Sequence, residues 1–242
     1  MVRFNIYPSI LDAFQGYLDS SEVYQKYYGM SEEPVMSEEE FSDKQYEELI
    51  NRINRVPFES EAADKGTAFN EVIDCILLNK KSDKMDISSN KETGQITVIY
   101  KTNTFVFPIA LCIEIAQYYN GAIPQVFVSS DLQTKYGTVN LYGYIDYLLP
   151  FTACDLKTTS KYEVGKYRKS WQRFVYLYCL NKSGNKINEF EFNATDFKAT
   201  FTELYTYNDA EYEKALTDIC ERFIEFMFIN EELITDKKII LF

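Results

Sequence analysis

Two aspartates and a lysine, Asp146, Asp155 and Lys157, stand inside an apolar run, GYIDYLLPFTACDLKTTSKY (143–162). Burying a bare carboxylate costs several kcal/mol unless it is paired or bound to a metal, so these acids call for partners. Alternate residues of a strand share a face, which sets Asp155 and Lys157 side by side with Cα atoms roughly 6–7 Å apart. Asp146 lies one strand earlier, across a short bend, near enough for its carboxylate to converge on that of Asp155. Two carboxylates held close repel each other, and a divalent cation relieves the repulsion. Mg²⁺ and Mn²⁺ favour such all-oxygen sites. Either ion polarises a phosphate and lowers the pKa of a bound water. A lysine beside it can orient that water or stabilise charge developing on phosphorus. The plain alternative is a surface Asp–Lys pair beside a solvated turn acid.

The next segment, YRKSWQRFVYLYCLN (167–181), has the pattern of a helix. On it Gln172 and Tyr176 are four apart and share a face, with Lys169 and Arg173 one turn apart beside them, and Trp171 between. A glutamine, a tyrosine and cations next to an acidic metal site suit a phosphodiester backbone. A helix with its aromatics in the core and its lysines in water would show the same pattern.

Composition narrows the chemistry further. Histidine is absent from all 242 residues, which removes histidine triads, histidine zinc sites and imidazole acid–base steps. Five cysteines lie about 25 to 42 residues apart without a CxxC pair. They read as reduced, mostly buried thiols rather than a disulfide frame, zinc site or iron–sulfur cluster. The net charge of −12 argues against a protein that coats nucleic acid generally. Its distribution is uneven: residues 157–186 carry eight basic residues and one acid, a window of +7 that leaves −19 on the rest. Lys161 falls in that window, so a polyanion would be held there and repelled elsewhere. No apolar run reaches the ~18 residues of a membrane span, and the N-terminus lacks a signal-peptide pattern, so a cytoplasmic location is expected.

The elements that must position these residues can be read coarsely. PSILDAFQGYL (8–18) reads as a helix with Ser9 as its cap. MSEEEFSDKQYEELINRI (36–53) has Ser37 and Glu40 at capping-box spacing. AADKGTAFNEVIDCILLN (62–79) puts Phe69, Ile73, Ile76 and Leu77 on one helical face. A hairpin over 95–108 and a helix over 109–120 follow. Segments 124–134, 138–149 and 151–159 then read as three consecutive, mainly antiparallel strands. After helix 167–181 come strands over 186–194 and 197–207 and a long amphipathic helix over 209–232. This is an α/β (α+β) pattern, a central mixed sheet flanked by helices. With no repeat or Gly/Ser linker it is expected to form a single domain over 1–242, with a helical N-terminal part to about residue 80.

The order G-x-x-D (143–146), D-x-K (155–157) and Q-x-x-x-Y (172–176) resembles the PD-(D/E)XK nuclease superfamily in its RecB-like exonuclease branch. DLKTT is similar to the D-Y-K-T-G wording of that branch, and YPSILDAF to its S-x-L-x-x-F/Y opening. The likeness runs from about residue 7 to 180 and implies a restriction-endonuclease-like core. It also implies that Asp146 and Asp155 bind Mg²⁺ or Mn²⁺ with the Leu156 carbonyl, that Lys157 is catalytic, and that Gln172 and Tyr176 orient the site and the strand. The branch carries G-x-x-x-H on an earlier helix, the histidine touching a second metal; here GTAFN puts Asn70 there, with Glu71 following as a substitute ligand. The branch's cysteine cluster is missing, so no iron–sulfur centre is expected. The activity implied is a metal-dependent DNA exonuclease of phage or bacterial recombination and repair, acting on DNA and working with a recombination partner protein. An endonuclease on the same core, or a binding-only relative motivated by Asn70, are the alternatives.

Overall fold

The structure is a computed structural model, which describes residues 3–29, 31 and 34–241. In chain order its elements are β1 (Arg3–Ile6), α1 (Pro8–Leu18), α2 (Ser20–Tyr27), α3 (Glu38–Ile53), α4 (Glu61–Leu77), β2 (Asp86–Asn90), β3 (Gln95–Tyr100), β4 (Asn103–Pro108), α5 (Ile109–Tyr118), β5 (Ile123–Thr134), β6 (Gly137–Leu148), β7 (Thr152–Thr158), α6 (Gln172–Lys182), β8 (Glu189–Thr195), β9 (Thr200–Thr206), α7 (Asp209–Ile229) and β10 (Ile240–Leu241), with a 3₁₀ turn at Glu231–Leu233.

Local chemistry explains most of the helix starts. Ser37 and Glu40 form the expected reciprocal capping box at α3. The Ser60 hydroxyl caps α4 and the Asn208 side chain caps α7. The expectation of Ser9 as a cap for α1 is corrected: Pro8 opens the helix with Tyr7 in the cap position and no side-chain cap. A proline needs none at the first helical position, because it lacks one of the orphan N–H groups and its φ is already helical.

Seven described strands form a mixed sheet in the order β10-β1-β6-β7-β8-β9, with β5 on the other edge of β6. β1 runs parallel to β6 and β7 parallel to β8, while β5–β6, β6–β7 and β8–β9 are antiparallel. The fold is therefore mixed α/β, as the element pattern predicts. A separate three-stranded antiparallel sheet, β2-β3-β4, packs beside it. A large core lies between the main sheet and α1, α3, α6 and α7, built on Phe4, Phe14, Leu141, Leu177, Phe190 and Phe223. A smaller core, with Phe69, Ile73, Phe107 and Tyr119, joins α4, α5 and the small sheet to Tyr147, Cys154 and Leu156. On α4, Phe69 and Ile73 are buried as expected, but Ile76 is exposed. All five cysteines are free thiols, four of them buried. No helix among the described residues is long and apolar enough to cross a membrane.

Candidate active site

The site grows from a fork in the sheet. β5 follows one edge of β6 along nearly its whole length. The other edge is shared, with β1 pairing residues 138–141 and β7 pairing only Tyr147 and Leu148. Residues 142–146 of β6 face the gap between those two strands. The register Tyr147↔Cys154, carried one step further, sets Asp146 opposite Asp155 on the same face. The strands part at that step, and Asp146 Oδ2 accepts a hydrogen bond from the Leu156 N–H at 3.0 Å. A carboxylate thus takes the place of a ladder carbonyl.

Across from Asp146 on β5, Gln125 has φ +53°. A non-glycine residue in the left-handed region costs on the order of 1 kcal/mol and clusters near functional sites. The face alternation breaks at the same place: Ile145 belongs to the large core and Tyr147 to the smaller one, although two residues apart on a regular strand would share a face.

Asp155 is 2% exposed. Its Oδ1 accepts from Gln172 Nε2 at 2.7 Å and its Oδ2 is ion-paired with Lys157 Nζ at 2.8 Å. Gln172 reaches it from the first turn of α6. The turn before α6 is tied down by Asp12 of α1, which accepts from the Trp171 N–H at 2.6 Å and from Ser170 Oγ at 3.2 Å. Burial raises the Asp12 carboxyl's pKa against the Trp171 bond and Lys157, which lower it. Burial, then the charge of Asp155, push Asp146 up to about 7, with Lys157 opposing. Burial alone would lower Lys157, but Asp155 and Asp146 raise it overall. The two acids and the lysine therefore act as one electrostatic unit, short of positive charge.

Tyr176 is buried against β6, its phenol held neutral by burial and by Asp155. It lies so close to Gly143 that a Cβ there would meet its Cε1 at 2.7 Å, which explains the glycine. Gly143→Ala is expected to displace the Tyr176 ring, at a stability cost of about 1–3 kcal/mol. Thermal unfolding of the purified variant checks this, and an unchanged Tm would contradict it.

Helix α4 approaches from the other side of β7. Gly66 permits this, since a Cβ there would stand 3.2 Å from Thr158 Oγ1. Residues four apart share a helix face, so Gly66, Asn70 and Asp74 lie in one row. Asn70 Oδ1 is buried without a hydrogen-bond partner, and Asp74 Oδ1 accepts from the Tyr147 hydroxyl at 2.8 Å. Glu71 lies off that row. Its carboxylate is engaged by Ser82 Oγ at 2.7 Å and Lys84 Nζ at 3.5 Å. The structure thus gathers Asp146, Asp155, Leu156, Lys157, Gln172 and Tyr176, turns Glu71 elsewhere, and brings Asp74 toward Asp146, whose pKa it helps raise.

A divalent ion fits this donor set by its chemistry. The buried, unpartnered Asn70 Oδ1 and the mutually repelling carboxylates are oxygen donors short of a cation. Among the described residues no group of three or more His, Cys, Asp or Glu is arranged to hold a metal. An ion here would rest on two carboxylates, neutral oxygens and water, the coordination habit of Mg²⁺.

The basic residues are placed differently from the helical expectation. α6 begins at Gln172, so Lys169 lies in the preceding turn and does not share its face. Lys169 pairs with Asp19 and Glu22, each at 3.0 Å. Arg173 is packed among aromatics, its guanidinium 4.1 Å from the Phe174 centroid and 4.4 Å from that of Tyr205, and donates to Tyr212. Lys161 is exposed and paired with Glu163, and Lys182 with Asp209 and Glu213. Lys169 and Lys182 are therefore neutralised by acids from outside the +7 window, and Lys161 by the window's own Glu163. Two positions near the site escaped the sequence reading. Asp74 was signalled by its four-residue step from Asn70, and Asp12 by being the one acid in SILDAF.

No family model matches the chain, and no curated protein matches it. Among solved structures, one described as the crystal structure of SSO0001 is similar over 47% of this chain at 13% identity, with a TM-score of 0.36. The match spans 56% of that chain, about half its length.

Proposed function

We propose that the fork is the catalytic centre of a metal-dependent DNA nuclease of the PD-(D/E)XK type, an exonuclease of the RecB-like branch serving recombination or repair. One observation carries the proposal: Asp146, Asp155, Lys157, Gln172 and Tyr176, drawn from three elements, meet in one cluster with two repelling carboxylates.

In this account Asp146 and Asp155 would hold Mg²⁺ or Mn²⁺, with Asn70 Oδ1 and the Leu156 carbonyl as candidate neutral oxygens. A bound ion would supply Lewis acidity toward the phosphate and a lowered pKa for water. Lys157, held by Asp155, presents its ammonium to the attacking water and to charge growing on the phosphoryl oxygens. Water oxygen forms the new bond to phosphorus and gives its proton to solvent, while the bond to the departing sugar oxygen breaks and that oxygen takes a proton from solvent to leave as a hydroxyl. Gln172 fixes the rotamer of Asp155. Tyr176 is a positioning residue packed against Gly143.

The test is digestion of end-labelled linear and closed-circular DNA with Mg²⁺ or Mn²⁺. Mononucleotides released from the linear form alone are the expected result. Cutting of the circle would establish an endonuclease instead. Binding without cutting of either would overturn the nuclease proposal.

A further inference from the structure

A hollow of about 390 Å³ lies between the end of α4 and the small sheet, and none of its lining residues belongs to the fork. Lys80 and Lys81 of the loop after α4 stand on one wall, with Met85, Asp86 and Ile87 at the start of β2 and Ile99 of β3 on the other. We propose that this hollow takes an extended, acidic peptide segment of a partner protein, which joins the free edge of β2 as one more strand. The proposal does not rest on the nuclease reading.

β2 is an outer strand of the small sheet. All five of its residues pair with β3, and among the described residues no other strand or backbone hydrogen bond covers its far side. Such an edge offers alternate N–H and C=O groups as a template for a further strand. The hollow runs along that edge. Asp86 lies opposite Ile99, which is 50% exposed, whereas Ile87 lies opposite Val98 and packs on the smaller core. A hollow that touches Asp86, Ile87 and Ile99 therefore meets both faces of β2, as a groove beside the strand does. Met85, Ile87 and Ile99 give it an apolar lining for alternate side chains of the guest.

The charges select the partner. Lys80 and Lys81 are exposed and make no ion pair among the described residues, and the one acid lining the hollow is Asp86. Glu71, turned away from the fork, fixes this wall. Its carboxylate accepts from Ser82 Oγ at 2.7 Å and neutralises Lys84 at 3.5 Å, and Ser82 Oγ accepts in turn from the N–H groups of Lys84 and Met85, each at 3.1 Å. The loop is thus ordered before a guest arrives, which lowers the entropic cost of binding. On a chain of −12, two unneutralised lysines outside the 157–186 window reverse the sign locally and favour an acidic guest. A nucleic-acid strand fits less well. No aromatic ring lines the hollow for bases to stack on, and a strand edge pairs with a peptide backbone rather than with sugar and phosphate. A second copy of the chain would bring its own −12 to the contact.

Fluorescence anisotropy without metal or DNA tests this with a labelled heptapeptide of alternating glutamate and valine, which as a strand puts its acids on one face. Saturable binding is expected, with a heptapeptide of alternating lysine and valine held at least about tenfold more weakly. Lys80→Glu/Lys81→Glu should reverse that preference at an unchanged Tm, since both side chains are exposed. Methylating the peptide's backbone nitrogens one at a time should weaken binding about tenfold at every second position, where the N–H faces β2, and little at the others. No saturable binding, no preference for the acidic peptide, a methylation effect without the period of two, or displacement of the peptide by an oligothymidylate would each overturn the proposal. So would a homodimer, seen in sedimentation, that Lys80→Glu/Lys81→Glu takes apart. Peptide binding of the expected kind by a protein that cuts no DNA would support the proposal and sink the nuclease reading. DNA cutting lost in Lys80→Glu/Lys81→Glu would instead hand these lysines to DNA and overturn the proposal while the nuclease reading stands.

Discussion

Lys157→Ala is expected to lower DNA hydrolysis by about 10²- to 10³-fold, the range seen when one group stabilising transition-state charge is removed. Asp155 is almost fully buried and its Oδ2 has Lys157 as its ion-pair partner. Removing the ammonium leaves a buried carboxylate with only the Gln172 bond, so metal-free stability should fall by about 3 kcal/mol. Mg²⁺ should recover part of that loss by supplying positive charge beside the same oxygen. Lys157→Arg separates the two roles: a guanidinium restores charge and stability, but its planar fork presents its donors differently from a compact ammonium, so activity stays low. Rate and Tm are measured on the same preparations. Wild-type rates in Lys157→Ala would remove the lysine from the mechanism.

Asp146→Asn should abolish cleavage and yet stabilise the metal-free protein. The sign follows from the raised pKa. An unfolded aspartate ionises near 3.9, whereas folded Asp146 holds its proton to about 7 because of burial and Asp155. Wild-type stability without metal should therefore fall as pH rises from about 4 to 7, where only the unfolded chain releases the proton, and stay low above that. Asparagine has no charge to bury and keeps an oxygen for the Leu156 N–H. Above pH 7 it should be more stable than wild type by on the order of 2 kcal/mol, and the fall between pH 4 and 7 should shrink. Protons compete with metal for the same oxygens, so the Mg²⁺-induced rise in wild-type Tm should grow over that pH range. Thermal melts across pH in EDTA and in Mg²⁺ check both points. A destabilised Asp146→Asn at pH 8 without metal would contradict the electrostatic picture.

The strands around Asp146, Asp155 and Lys157 were legible because apolar alternation with misplaced charges is a local signal. So were the α3 capping box and the tail helix, each written within a few residues. The fork was not, because it depends on β1, four residues whose strand state comes from pairing with β6. β2 was missed for a like reason: DISSN carries little strand preference and is ordered by β3. Lys169 was drawn into a helix that begins three residues later, since the basic segment before Gln172 is as compatible with a turn as with a helix. The helical spacing suggests a surface cation at Arg173, and only the fold shows its guanidinium enclosed by Phe174, Tyr205 and Tyr212. Glu71 and Asp74 were separable in principle. A helix turns about 100° per residue, so the acid four positions beyond Asn70 shares its face and the adjacent one does not.

The central claim is that the two carboxylates at the fork bind a divalent ion, and titration calorimetry with Mn²⁺ at pH 7.5 addresses it directly. Wild type should bind with a saturable heat, Asp146→Asn and Asp155→Asn should lose it, and Glu71→Ala should retain it because that carboxylate is committed to Ser82 and Lys84. No saturable binding by wild type, or binding that survives in Asp146→Asn and disappears in Glu71→Ala, would contradict the account.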